Sequence, residues 1–163
     1  MKFTIYPIPS VAPLRLAIVA RPRGGDWLCD ELSGLRSEGV DVLVSMLTMP
    51  EAEELLLQRE SEECRAAGIE FVSISIPDRS VPPNKGSFLQ DVDSIIDLLR
   101  KGHFVGVHCR ASIGCSSVLA VSVLIRLGMD GAEAFRIVEA ARLRPIPDTE
   151  EQKRWVLENI VRG

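Results

Sequence analysis

Apolar, β-branched runs recur along the chain at residues 16–20, 40–46, 69–76 and 104–108, and between them apolar positions step by three and four. Continuous apolar runs of this length read as buried strands, and the three-four step reads as amphipathic helix. Leu28, Leu32 and Leu35 mark a short helix before the second run. Pro50 opens a longer one in which Ala52, Leu55, Leu56 and Ala66 alternate with acidic residues, and Gly68 caps it. Residues 88–99 and 116–127 each suit a helix, the second so apolar that it belongs in the centre of a domain. Residues 133–143 and 149–160 complete a C-terminal helical group, and a short strand fits around Phe3 to Tyr6. Strands that alternate with helices predict an α/β fold with a central, mostly parallel sheet flanked by helices. No repeat, low-complexity linker or shift in composition divides the chain, so residues 1–163 are expected to form one domain.

Composition narrows the function. A chain of 163 residues buries about two thirds of the surface its unfolded form exposes, without help from disulfides or metals. With 46% hydrophobic residues, 26% charged residues and a net charge of -4, neither disorder nor a broad nucleic-acid surface is expected. Any anion affinity must therefore be local. Lys2 and the apolar run at 16–20 resemble a secretory leader only faintly, because Pro7, Pro9, Pro13 and Arg15 interrupt it. No uncharged apolar run approaches the length of about 18 residues that a membrane span needs. Cys29, Cys64, Cys109 and Cys115 are too few and too irregular for a secreted disulfide scaffold, so a reducing cytoplasm is the expected setting. Cys29 and Cys64 fall on expected helices and read as surface or packing thiols.

The chemistry concentrates in Val105-Gly-Val-His108-Cys109-Arg110-Ala111-Ser112-Ile113-Gly114-Cys115-Ser116-Ser117. A strand ends at His108, a tight loop follows, and an apolar helix starts near Ser116. The N–H groups of residues 110–116 can converge on one point there, and the helix dipole adds positive charge, which makes a phosphate-binding cradle for a phosphate or sulfate ion. Cys109 lies on the floor of that cradle, where the same field favours a thiolate over the free thiol of pKa about 8.5. Upstream, Pro77-Asp78-Arg79-Ser80-Val81-Pro82-Pro83-Asn84 is too rich in proline for a strand or a helix and reads as a rigid loop. Residues 21–26 offer either a second anion contact or a turn into the first helix. The acidic positions of 51–63 read as a solvated face, and His103 as a loop residue. No glycine-rich nucleotide fingerprint is present.

His108, Cys109, Gly114 and Ser116 resemble the signature of the cysteine-dependent protein tyrosine phosphatases, and the order of elements is similar to that of small, atypical dual-specificity phosphatases. The resemblance implies hydrolysis of a phosphomonoester, on a phosphorylated protein or another substrate, with no metal and no organic cofactor. It implies Cys109 as the nucleophile, Asp78 as the acid that protonates the leaving oxygen, Ser116 as donor to the departing thiolate, His108 as a tuning group and Gln152 as a water-positioning group. Apart from Cys109, each has a plainer alternative: a turn aspartate, a helix cap, a strand-end histidine and a surface helix position. Asp148 is a weaker rival to Asp78 and suits a cap for the last helix. Nucleic-acid and membrane partners are not implied, and a monomer is expected.

The chain departs from the signature at Cys115, where the family has arginine. Arginine grips two phosphate oxygens with a planar fork, and its loss from phosphoryl transfer costs about 10³ to 10⁵-fold in turnover. Arg110 points outward from the cradle and is a poor substitute. Three readings stay open: a replacement in an otherwise active phosphatase, a derived protein without turnover, and a loop that uses two thiols. Two other functions go with them: an interaction module that holds phosphorylated partners, and a redox dithiol of Cys109 and Cys115. Arg79 and Arg110 favour an acidic or phosphorylated ligand, while Ala111 and Ile113 lack the lysines expected of phosphoinositide specialists.

Overall fold

The computed structural model describes residues 4–162, so Phe3 of the expected N-terminal strand lies outside the described residues. The elements run β1 (Ile5–Pro7), β2 (Arg15–Val19), α1 (Leu28–Ser37), β3 (Val42–Ser45), α2 (Met49–Glu54), α3 (Glu60–Ala67) and β4 (Glu70–Ser73). They continue with α4 (Lys85–Arg100), β5 (Phe104–His108), α5 (Cys115–Arg126), α6 (Gly131–Arg142) and α7 (Glu150–Asn159). One sheet orders them β1-β2-β5-β3-β4. β2, β5, β3 and β4 are mutually parallel and β1 is antiparallel at one edge, the α/β architecture expected.

Register brings the C-terminal strand ends level. Val44 pairs with Val107 and Ser45 with His108, and on the other side Ile18 pairs with Val107. That end of a parallel sheet is where open α/β folds bind ligands. Alternate strand residues serve opposite layers, as the pleat requires. Leu16, Ile18, Val42, Val44, Val105 and Val107 pack under α4 to α7, while Val19 and Leu43 pack under α1 and α3. α5 lies at the centre, as its composition predicts: every residue from Cys115 to Ile125 is buried, and it packs against α4, α6, α7 and β2. Each fully buried leucine on it, such as Leu119 or Leu124, contributes about 1.5–3 kcal/mol.

Several sequence expectations need correction. The long helix opened by Pro50 is two helices, α2 and α3, separated at residues 55–59. α2 starts one residue before Pro50, with Thr48 and Glu51 forming a reciprocal capping box. It stops because Leu56 adopts φ 58°, and the Leu56 carbonyl accepts the Gly25 N–H at 2.9 Å. Gly68 closes α3 at φ 81°, as expected. The acidic stretch is not wholly solvated, since Glu60 is only 2% exposed. Asp148 does not cap the last helix; the Thr149 hydroxyl does, accepting the Gln152 N–H at 3.1 Å. Ser116 is no cap either, because α5 starts at Cys115 with Gly114 in the cap position.

Candidate active site

β5 ends at His108, and residues 109–114 turn the chain into α5. The turn is fixed by Ser112, which sits at φ 55°, a left-handed conformation that costs an ordinary residue about 1–2 kcal/mol. Its hydroxyl, 1% exposed, donates to the Val19 carbonyl at 2.7 Å and accepts the Cys109 N–H at 3.4 Å. Its own N–H donates to the Cys109 sulfur at 3.1 Å. Among the described residues, the N–H groups of Arg110, Ala111, Ile113 and Gly114 donate to no protein acceptor. The first turn of α5 adds the unpaired N–H groups that every helix start carries. A buried sulfur thus lies in a ring of unspent donors, the arrangement that binds an oxyanion.

Other segments brace this loop. Arg142, the last residue of α6, is 8% exposed and donates to the Ser112 carbonyl at 2.8 Å and the Ala111 carbonyl at 3.5 Å, with its guanidinium 4.2 Å from the centroid of the Tyr6 ring. Arg21 donates to the Arg110 carbonyl at 2.6 Å, so the segment at 21–26 touches the loop as well as leading into α1. His108 is fully buried, and its Nε2 lies 2.6 Å from Oε2 of Glu60. Sequence reasoning missed Glu60, Arg142 and the Ser112 hydroxyl, all polar letters whose burial is invisible in a linear pattern.

Arg110 does point outward. Glu54 clamps its guanidinium at 2.8 and 3.3 Å, and that hydrogen bond holds the Glu54 carboxyl below the usual carboxylate range. Asp78 stands exposed on the loop after β4, its N–H held by Oε2 of Glu51 at 2.9 Å. The same Glu51 accepts the Thr48 N–H through Oε1 at 2.9 Å, so the cap of α2 also fixes the loop that carries Asp78.

Cys115 is 1% exposed, with Sγ 3.6 Å from the Ile76 carbonyl and 3.7 Å from the Pro77 carbonyl. Burial pushes its thiol far above the ordinary range, with Cys109 and Asp78 adding to the shift. Gln152, expected either at the site or on the surface, is fully buried; its Nε2 donates to the Ser80 carbonyl at 2.8 Å and reaches Cys115 Sγ at 3.9 Å. Ser116 and Ser117 are fully buried, and neither hydroxyl has a partner among the described residues. Asp148 lies against Gly114: a Cβ there would collide with Asp148 Oδ2 and come within 2.9 Å of Gln152 Oε1, so both side chains close over the bare glycine. No cluster of metal ligands exists among the described residues, and no helix among them is long and apolar enough to cross a membrane.

The solved structures most informative for this geometry are phosphatases. Tk-PTP in its active form is 25% identical, with 90% of each chain covered and a TM-score of 0.74. Kinase associated phosphatase is 16% identical, over 97% of this chain and 94% of that one, with a TM-score of 0.84. PTPMT1 in complex with PI(5)P is 21% identical over 88% of each chain, with a TM-score of 0.72. No curated protein matches the sequence at a significant level. A family model described as "Tc-R-P: Polymorphic toxin system, DSP-PTPase phosphatase" matches residues 18–129, which run from the middle of β2 past the end of α5 and include the whole cysteine loop. With the buried cysteine, the open ring of donors and the parallel strands β3, β4 and β5 all in that stretch, the chain belongs to the DSP-PTPase phosphatase family of polymorphic toxin systems.

Proposed function

We propose that this chain hydrolyses phosphomonoesters through a cysteinyl-phosphate, as one catalytic domain spanning residues 1–163. The observation that carries the reading is the Cys109 sulfur held by the Ser112 N–H at 3.1 Å within a loop whose other N–H groups are unspent. Those donors hold the phosphate oxygens, Cys109 attacks phosphorus, and Asp78 gives a proton to the leaving oxygen. The unpaired Ser116 hydroxyl is free to donate to the thiolate as it departs. Turnover is slow, because Cys115 stands where the signature places arginine and its thiol is spent on two backbone carbonyls. Phosphorylated protein is the default substrate, the protein acts as a monomer, and a reducing cytoplasm keeps Cys109 usable.

Cys115→Arg should raise turnover of an aryl phosphate by about 10³ to 10⁵-fold, the worth of such an arginine in phosphoryl transfer. Cys109→Ser serves as the blank. If arginine restores nothing while phosphate still binds, the hydrolase reading is wrong and a phosphate-binding interaction module takes its place. That second reading has its own support in the clamped Arg110 and the absent fork, which leave a cradle able to hold an anion without driving its transfer. The dithiol reading is disfavoured, since a buried, carbonyl-bonded thiol is a poor attacking group.

A further inference from the structure

We propose that Asp148 takes the proton from the water that hydrolyses the cysteinyl-phosphate, so that acid and base work is split between Asp78 and Asp148. This rests on the phosphatase reading above. Asp148 lies between α6 and α7 and is released from helix capping by Thr149, which caps α7 itself. It is half-buried, and its Oδ2 occupies the space over Gly114, in the loop whose floor is Cys109. Beside it, Gln152 Oε1 comes within 2.9 Å of the same Cβ position on Gly114. Gln152 is fully buried and its Nε2 is committed to Ser80, yet its Oε1 has no partner among the described residues. Two acceptors side by side, one of them unpaired and buried, call for a small donor with two O–H groups. A water molecule fits that description, and its oxygen would then lie over the phosphate cradle.

Asp78 is placed differently. It is exposed on the outer loop, where a leaving group departs toward solvent. Asp148 is the more sheltered carboxyl. Burial raises its proton affinity, Arg79 and Arg144 oppose that, and Asp78 adds to it. A stronger base suits a proton taken from water. In the step, the water oxygen forms its bond to phosphorus as the sulfur–phosphorus bond breaks. The electron pair leaves on Cys109 as thiolate, the proton goes to Asp148, and inorganic phosphate departs.

The test uses a strongly activated aryl phosphate, whose leaving group needs no proton, so that the second step is exposed. Asp148→Asn should show a stoichiometric burst of aryl alcohol, steady turnover lower by about 10² to 10⁴-fold, and a phosphoryl group retained on the protein by intact mass. Asp148→Ala should behave the same way, and added formate should restore its turnover and clear the retained group, an effect that a merely structural role would not produce. Turnover unchanged from the parent overturns the proposal. So does loss of burst and turnover together in a folded variant, or failure of formate in the alanine variant. A parent chain and a Cys115→Arg variant that both release no aryl alcohol overturn the hydrolase reading itself, a result distinct from these.

Discussion

Ser112 sets two effects of similar size against each other. Its left-handed φ of 55° costs about 1–2 kcal/mol that glycine would not incur. Against this, its buried hydroxyl holds the Val19 carbonyl at 2.7 Å and receives the Cys109 N–H, and leaving a buried polar group unmade costs about 1–3 kcal/mol. Ser112→Ala loses the hydroxyl and keeps the strain, so it should destabilise by about 1–3 kcal/mol. Ser112→Gly loses the same bonds and sheds the strain, and it gives back about 0.4–1 kcal/mol through the freer unfolded chain. The glycine variant should therefore be more stable than the alanine variant by about 0.5–1 kcal/mol. At this chain length a kcal/mol moves Tm by about 2–4 °C, so thermal melts of the three proteins side by side resolve the order. An alanine variant as stable as the parent, or one more stable than the glycine variant, would show that the hydroxyl and the backbone strain do not hold the loop as described. The same variants carry a functional readout. The Ser112 hydroxyl ties the loop to Val19 and to the Cys109 N–H, so without that brace phosphate affinity should fall in the alanine variant along with stability.

Three other outcomes follow from contacts around the site and the sheet. Glu60→Leu should destabilise by about 1–3 kcal/mol, because it strands Nε2 of the fully buried His108; adding His108→Phe should recover much of that loss, and strictly additive losses in denaturant melts would refute the pairing. Asp41 accepts the Phe104 N–H at 2.8 Å, which holds its carboxyl below the ordinary value of 3.8, with Arg36 adding to the effect. A lowered carboxylate contributes stability above the ordinary value and loses it as pH falls through the folded one. The parent should therefore lose stability below about pH 4 more steeply than Asp41→Asn, and parallel acid melts would refute this. With maleimide near neutral pH, exposed Cys29 should label in the folded protein. Cys64, pushed up to about 12 by burial and Glu60, should not, nor should Cys115, held still higher by burial. Labelling of Cys115 as fast as Cys29 would count against its buried, carbonyl-bonded state.

How far the sequence foretells this site depends on whether a residue's neighbours in the chain are also its neighbours in space. Phe104 to Ser117 is legible because strand, loop and helix follow one another, so one segment contains both the sulfur and its ring of donors. The break at residues 55–59 is not legible, because it is set by a bond from Gly25, distant in the chain and in a different element. Glu60 and Arg142, which the sequence does not mark as site residues, share a position with Gln152 and Asp148, which it leaves between a site role and a plainer one. Glu60 is the first residue of α3, Arg142 the last of α6, Gln152 lies in the first turn of α7, and Asp148 just precedes it. Charged and amide residues at helix ends ordinarily read as caps or as complements to the helix dipole. In an α/β fold, however, one end of each helix lies at the carboxyl edge of the sheet, level with the strand ends where the ligand binds. A polar residue at such an end can serve in either way, and only its burial decides between them. The Thr149 hydroxyl already meets the capping need of α7, which leaves Asp148 and Gln152 over Gly114 with chemistry to spare. A helix end that carries more polar groups than its cap requires, at the strand-end edge of a parallel sheet, is therefore where a site is to be sought, and burial then tells which of those groups serve it.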